Sequence, residues 1–362
     1  MPVIIEGIAT ALPGRCLQTD LFIQHAKRFC CTTTRQEKVL EELYRRTEIS
    51  SRSCVLASYS YGSEGEQIFA PPRAVDDLGP STAQRMQCYS DEAGMLATTV
   101  GRQALQAAAV PADAITHLVT ISCTGFYAPG FDIEMINQIP LPPSVQRTHV
   151  GFMGCHGAMN GLRVAGAFAQ ARNAAVLLCT TELCSLHFQY GWSTDKLVAN
   201  SLFSDGAAAL VVRQSAHDGA SGFEYLDSAS FIVADTSEAM MWRIGDHGFQ
   251  MNLSTRIPEI ICAELPEWIR QWLSKQGLKI ADVSLWAVHP GGPRILDAVQ
   301  AALNLPADAL DDSRAVLAQC GNMSSPTVLF ILERMLARQF SGYCVMLGFG
   351  PGLAVEAALL KA

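Results

Sequence analysis

PADAITHLVTIS (111–122) and KIADVSLWAVHP (279–290) follow one pattern: a helix end, a short turn carrying Ala-Asp, and a strand apolar enough to be buried. Ser284 lies 168 residues after Thr116. Two further elements keep that spacing in the same order: Asn322 opens a helical pattern 167 residues after Cys155, and Tyr343 opens a strand 167 residues after Val176. A single match of this kind arises between ordinary βα units, whereas a spacing sustained over three elements indicates two duplicated halves. The halves are expected to meet near residues 215–230, where QSAHDGASG supplies a turn-rich stretch, giving an N-terminal half over 1–220 and a C-terminal half over 221–362.

Working outward, strand patterns at THLVTIS (116–122), NAAVLLCTT (173–181), AAALVVR (207–213), SLWAVHP (284–290) and YCVMLGF (343–349) alternate with helical ones. The clearest helical stretches are GAMNGLRVAGAFAQARN (157–173) and SSPTVLFILERMLARQF (324–340), and the alternation indicates an α/β protein. A chain of 362 residues, 49% hydrophobic and only 17% charged, has apolar surface for a large core and a subunit interface. The formal net charge of −8 argues against nucleic acid as the main partner, though a local basic patch can still receive an anionic ligand. No apolar run reaches the length of a membrane span, and MPVIIEGIATALPGR (1–15) has no basic segment before its apolar run. It reads as a first strand in a cytoplasmic protein. The 12 cysteines are scattered through apolar contexts such as Cys179, Cys262 and Cys344, unlike a disulfide framework, and the adjacent Cys30 and Cys31 lack the spacer of a metal knuckle. No metal site is assigned.

The duplication places chemistry as well as structure. In VGFMGCHGAMNG (150–161) a strand runs through glycines to Cys155 and into a helix. The partial positive charge of a helix start stabilises a thiolate, and Gly154 and Gly157 leave room for a substrate carbonyl. Taken alone, Cys155 reads equally as a buried structural thiol; the glycine-bracketed helix start turns the reading toward a nucleophile. His289, in WAVHPGGPRILD (286–297), ends a strand, and sites in α/β sheets form at carboxyl ends of strands. Asn322, in QCGNMSSPTVLF (319–330), reads either as a helix cap or, through its equivalence to Cys155, as a site residue facing it. His117, His149, His156, His187 and His247 read as structural.

Cys155, the HPGGP histidine His289, GNMSS (321–325) and LGFGPGLAVE (347–356), in this order, resemble the type III polyketide synthases of the chalcone synthase group over nearly the whole chain. The resemblance implies a thiolase-like α/β fold with two duplicated halves in a layered αβαβα core. It also implies a homodimer, CoA thioesters as substrates with no carrier protein and no permanently bound cofactor, and a Cys155-His289-Asn322 catalytic set. Ser324 of GNMSS then belongs to the substrate pocket, and Gly348 and Gly350 to a glycine-rich loop shaping its floor. LFSDGAAAL (202–210) places on Phe203 the phenylalanine at the junction of the CoA tunnel and the cavity, and GDHGFQM (245–251) places the malonyl-orienting one on Phe249. Without the resemblance both read as core aromatics.

The chain also departs from plant chalcone synthases. SCTGFYAPG (122–130) carries Cys123 where those enzymes have a small hydroxylated residue, and SEAMMWRIGD (237–246) puts Met240, Met241 and Trp242 in a cavity-lining segment that contains glycine there. This is a bacterial or fungal style. A methionine wall suits an aliphatic starter, closes around a small one, or simply packs the core. Arg45, Arg46 and Arg52 of YRRTEISSR (44–52) stand in a region where the family uses basic residues for CoA phosphates, or form a solvated face.

The implied reaction starts with Cys155 thiolate, ion-paired to His289, taking the acyl group of a starter acyl-CoA. Malonyl-CoA then loses carbon dioxide while His289 and Asn322 stabilise the enolate, which attacks the Cys155 thioester; repetition and cyclisation give a pyrone, resorcinol or related product. The nearest rival is a ketoacyl synthase III-like enzyme making one condensation. A thiolase wants a second catalytic cysteine, a hydroxymethylglutaryl-CoA synthase a glutamate near Cys155, and a papain-like protease a different cysteine context.

Overall fold

The computed structural model describes residues 1–14, 16–57, 67–215, 222–338 and 341–362. Its strands are β1 Val3–Ala11, β2 Cys16–Gln18, β3 Ser51–Ser53, β4 His117–Ser122, β5 Gln146–Gly151, β6 Ala175–Leu183, β7 Asp205–Gln214, β8 Phe223–Ile232, β9 Met240–Gly245, β10 Gly248–Leu253, β11 Val283–Val288, β12 Tyr343–Gly350 and β13 Ala354–Lys361. The described α-helices are α1 Thr19–Cys30, α2 Thr34–Arg45, α3 Thr82–Ala107, α4 Phe131–Gln138, α5 Gly157–Ala169, α6 Thr194–Leu202, α7 Ile257–Lys275, α8 Pro293–Leu303, α9 Asp311–Cys320 and α10 Thr327–Leu336.

Nine strands form one sheet in the order β11-β12-β13-β8-β1-β7-β6-β4-β5. Its two sides repeat one topology. The parallel pair β4–β6 is matched by β11–β12, antiparallel β6–β7 by β12–β13, and antiparallel β1–β7 by β8–β13. Among the described residues, the sides pair through Val3, Ile4 and Ile5 of β1 against Tyr225, Glu224 and Phe223 of β8. Much of the turn-rich stretch expected at the junction, residues 216–221, lies outside the described residues.

Burial explains why the sequence folds this way. β6 is buried at every position, as a near-continuous apolar run requires of a strand covered on both faces. α10 is buried from Thr327 through Leu332, so it is covered on all sides. Three cores result. One packs α1 to α4 on the N-terminal side of the sheet; the second holds α5 and α10 among strands of both halves; the third packs α7 and α8 on β11 to β13. Helix, one side of the sheet, paired central helices, the other side of the sheet, helix is the αβαβα layering.

The helical expectation at 324–340 is trimmed by the structure: α10 begins at Thr327, and the residues before it form a loop, while residues 339–340 lie outside the described set. Cys179 and Cys344 are buried as expected, but Cys262 is exposed on α7.

Candidate active site

Cys155 sits in a tight turn between β5 and α5. Gly154 holds φ +81°, and a Cβ there would fall 2.5 Å from Cδ of Pro351, so only glycine fits. Gly157 N–H donates to Gly154 O at 2.9 Å, closing the turn at the first residue of α5, two residues after Cys155. The side chains of Ser324 and Asn322 stand near the Cys155 sulfur and favour its charged form.

That position sets burial against the helix start. Burial pushes the Cys155 thiol up to about 12; the nearby Ser324 side chain opposes this, Glu182 adds to it, and the Asn322 side chain opposes it. Burial likewise holds the His289 imidazole down to about 3, with His156 acting in the same direction. Burial thus disfavours both charges of a thiolate–imidazolium pair in the unloaded site.

His289 follows the last residue of β11 and extends the parallel ladder by donating its N–H to Leu347 O at 2.8 Å. Its ring is 1% exposed, and neither ring nitrogen has a hydrogen-bond partner. Buried polar atoms are rarely left so, and here they adjoin a cavity with room for a ligand. Asn322 is fixed by a parallel bridge to Phe203, its N–H donating to Leu202 O and its carbonyl accepting from Ser204 N, both at 2.9 Å. Its Oδ1 accepts from Ser324 N at 2.8 Å, so the amide Nδ2 is the end left for the site. Ser324 itself holds φ +60°.

A cavity of about 370 Å³ is lined by Cys155, His289, Asn322, Phe203, Met240 and Phe349, with Arg46 and Arg294 at its exposed rim. A much smaller space of about 20 Å³ adjoins Cys155 and is walled by Cys123, Met240 and Ser324 among others. The structure thus brings the Cys-His-Asn set together with Phe203, Met240, Ser324 and Cys123.

Other residues fall elsewhere. Phe249 is buried and stacked on His187 at 4.0 Å between ring centroids; it lines a neighbouring pocket rather than the cavity of Cys155. A Cβ at Gly348 would meet Met159 Cε at 2.3 Å, and one at Gly350 would meet the His156 ring at 2.3 Å. These glycines let β12 approach the start of α5, and Phe349 between them, on the opposite strand face, is the one lining the cavity. Arg52 is corrected outright: it is completely buried, with Nη1 donating to Ser201 O at 2.8 Å and its guanidinium 4.4 Å from the Phe22 ring centroid. It cannot meet a phosphate at the rim. Arg45 is exposed and paired with Asp20 and Glu41, away from the cavity lining; Arg46, at the rim, pairs with Glu42.

Two residues escaped the sequence reading. Arg294, second residue of α8, lies at the rim with no ion pair among the described residues. Glu182, at the end of β6, is completely buried beneath the site and accepts from Cys123 N at 2.9 Å, Thr124 Oγ1 at 2.7 Å and Ser325 Oγ at 2.7 Å. Burial raises its pKa while these donors lower it. A glutamate does therefore lie near Cys155, but its oxygens are committed to holding the Cys123 and Ser325 loops. Its only signal was a carboxylate in an otherwise apolar strand. Among the described residues no cluster of His, Cys, Asp and Glu is arranged to hold a metal, and no helix is long and apolar enough to cross a membrane.

Duplicated α/β halves, with a cysteine ahead of one central helix and a histidine and asparagine from the other half facing it, define a condensing enzyme of the thiolase-like class. Residues 2–216 match the N-terminal domain of chalcone and stilbene synthases and residues 225–362 the C-terminal domain, so the chain belongs to that family, the type III polyketide synthases, which transfer acyl groups. The alpha-pyrone synthesis polyketide synthase-like Pks18 of Mycobacterium tuberculosis is 31% identical over 366 aligned positions, 98% of this chain and 90% of that protein. Polyketide synthase 37 of Dictyostelium discoideum is 27% identical over 99% of this chain, which spans 12% of that longer protein. Among solved structures, PKS-I from the brown alga Ectocarpus siliculosus superposes with a TM-score of 0.92 at 29% identity, covering 99% of this chain and 98% of that one. The C-terminal type III domain of Steely1 from Dictyostelium gives 0.89 at 23% identity over 100% and 99%, a likeness of fold.

Proposed function

We propose that the chain condenses malonyl-CoA repeatedly onto an acyl starter carried by Cys155 and releases a cyclised pyrone, resorcinol or related product. The observation that carries this is His289, buried with both ring nitrogens unpartnered beside Cys155 and the free amide end of Asn322. As the Cys155 sulfur attacks the starter thioester, neutral His289 takes the thiol proton and returns it to the departing CoA sulfur. The acyl group is then a thioester on Cys155, and no charge remains in the cavity.

Malonyl-CoA follows with its thioester carbonyl toward the N–H donors of His289 and Asn322. Loss of carbon dioxide leaves its electron pair as an enolate whose oxygen those donors stabilise; the enolate carbon attacks the Cys155 thioester, the bond to the Cys155 sulfur breaks, and the chain lengthened by two carbons stays on CoA. The Cys155 thiolate so released then attacks that new thioester, takes the chain back and releases CoA before the next extension. Arg46 and Arg294 at the rim suit the CoA phosphates, with no permanently bound cofactor required. A homodimer is supported by β5, the edge strand of the sheet, beside exposed Phe126 and Met153, a surface a second copy would cover.

The test is mass spectrometry of products formed by purified protein from malonyl-CoA with acetyl-, medium-chain, long-chain and aromatic acyl-CoA. Pyrones or resorcinols that disappear in Cys155→Ala are expected. A single-extension β-ketoacyl product, or reaction only with carrier-bound malonate, would point instead to a ketoacyl synthase III-like enzyme.

A further inference from the structure

Three thiols, Cys123, Cys155 and Cys184, line the one space of about 20 Å³. All three are buried and free, and the acyl transfer described above uses only Cys155. Of the other two, Cys123 is built against the nucleophile. Its N–H donates to Glu182 Oε2 at 2.9 Å and its carbonyl accepts from Trp242 Nε1 at 2.8 Å, so its backbone is held from both sides. Its sulfur accepts from Gly154 N at 3.0 Å and lies 3.7 Å from Gly154 O. That carbonyl belongs to the peptide group whose nitrogen is that of Cys155. A single planar peptide therefore stands between the Cys123 sulfur and the backbone of the nucleophile.

We propose that Cys123 is a resolving cysteine, which meets hydrogen peroxide by closing a reversible disulfide with Cys155 and so keeps the nucleophile from irreversible oxidation. The cavity that admits a CoA thioester also admits peroxide, and a sulfur that passes its proton to His289 is open to that oxidant. The Cys155 sulfur attacks one peroxide oxygen and the O–O bond breaks. That oxygen stays on the sulfur as a sulfenic acid, and the other leaves with the Cys155 proton as water. The Cys123 sulfur then attacks the sulfenic sulfur, the S–O bond breaks, and the hydroxyl leaves with the Cys123 proton as a second water. The two thiols together supply the two electrons that reduce one peroxide. An external dithiol restores both by exchange, whereas a sulfenic acid with no thiol beside it goes on to the sulfinic acid, which thiols do not reverse. The inference asks only that Cys155 be the reactive thiol, whatever product the enzyme makes.

The experiment treats the reduced full chain with hydrogen peroxide in the absence of CoA thioesters. It follows intact mass, peptides mapped without reductant, and acyl loading from acetyl- and hexanoyl-CoA before and after dithiothreitol, with circular dichroism confirming the fold. For wild type the expected result is a loss of about 2 Da, a Cys123 peptide joined to the Cys155 peptide, and loading that disappears on oxidation and returns with dithiothreitol. In Cys123→Ser the Cys155 peptide instead gains about 32 Da and loading does not return, whereas Cys184→Ala responds to peroxide as wild type does. Cys123→Ala reads the same contrast should the serine variant not fold. A wild-type Cys155 peptide that gains oxygen without cross-linking, a cross-link to Cys184, or an unchanged mass overturns the proposal. Absence of loading in the reduced wild type counts against Cys155 as acyl carrier, while the cross-link still decides the disulfide, so the two failures are told apart.

Discussion

Arg52 and Arg46 stand six residues apart and have opposite fates. Arg52 lies over Phe22 and binds the carbonyls at the C-terminal end of α6, where a cation complements the helix dipole. Arg46 is exposed at the cavity rim, as is Arg294. Arg52→Ala is expected to cost about 2–4 kcal/mol of stability, from lost packing and unsatisfied carbonyls, and to leave KM for malonyl-CoA unchanged. Arg46→Ala and Arg294→Ala are expected to raise that KM several-fold with little change in stability; denaturant unfolding and steady-state kinetics on the three variants check this. Nothing local in YRRTEISSR separates the two arginines. The burial of Arg52 depends on a carbonyl 149 residues away, a contact no spacing rule reaches. Cys155 and His289 were legible because glycine and proline mark the turns that present them. Glu182 was not, since its partners come from segments distant in the chain.

At the scale of elements, the alternation of β12 explains the correction to Gly348 and Gly350. Side chains two apart share a strand face, so the two glycines both meet α5 while Phe349 meets the cavity. The Gly-x-Gly pattern announced a close approach, and only the packed structure tells what approaches. Gly350→Ala would drive a methyl into the His156 ring, next to Cys155. The expected outcome is a loss of about 1–3 kcal/mol in thermal unfolding together with slower acyl loading, whereas a substitution that spared the His156 ring would change neither. The start of α10 was misjudged for a related reason. The residues from Asn322 to Ser325 have helix-compatible neighbours, but the bridge from Asn322 to Phe203 and the positive φ of Ser324 hold them as a loop that faces Cys155.

For the whole molecule, the repeat spacing between halves was the most informative signal, because a duplicated chain must bury both central helices between the two sides of its sheet. Burial on that scale also sets the pH response. Burial lowers His25 to about 4 and His187 and His289 to about 3, below the ordinary value near 6.5. Below pH 6.5 the unfolded chain therefore binds protons that the folded chain refuses, and stability falls as pH drops from about 6.5 toward 4. Asp205, raised to about 7 by burial, works oppositely, contributing stability at low pH that is lost as pH rises from about 4 through 7, and Glu182 is raised in the same sense. The histidines outnumber the carboxylates, so a net decline toward acid is expected, each net proton contributing about 1.4 kcal/mol per pH unit. Urea unfolding at stepped pH measures the slope. His187→Gln should flatten it by about one proton, and an unchanged slope would show that His187 does not bind the predicted extra proton on unfolding.

The central claim is that successive extensions are built on Cys155. The most direct measurement is a rapid-quench experiment in which the starter-loaded protein is mixed with malonyl-CoA and its intact mass and Cys155 peptide are followed in time. The account predicts the starter acyl mass first, then further masses each larger by one malonyl unit less carbon dioxide, all on the Cys155 peptide; Cys155→Ala shows none of them, and Asn322→Ala shows the starter mass with extension slowed about a hundredfold. Acyl masses that persist in Cys155→Ala, or that map to another residue, would contradict it.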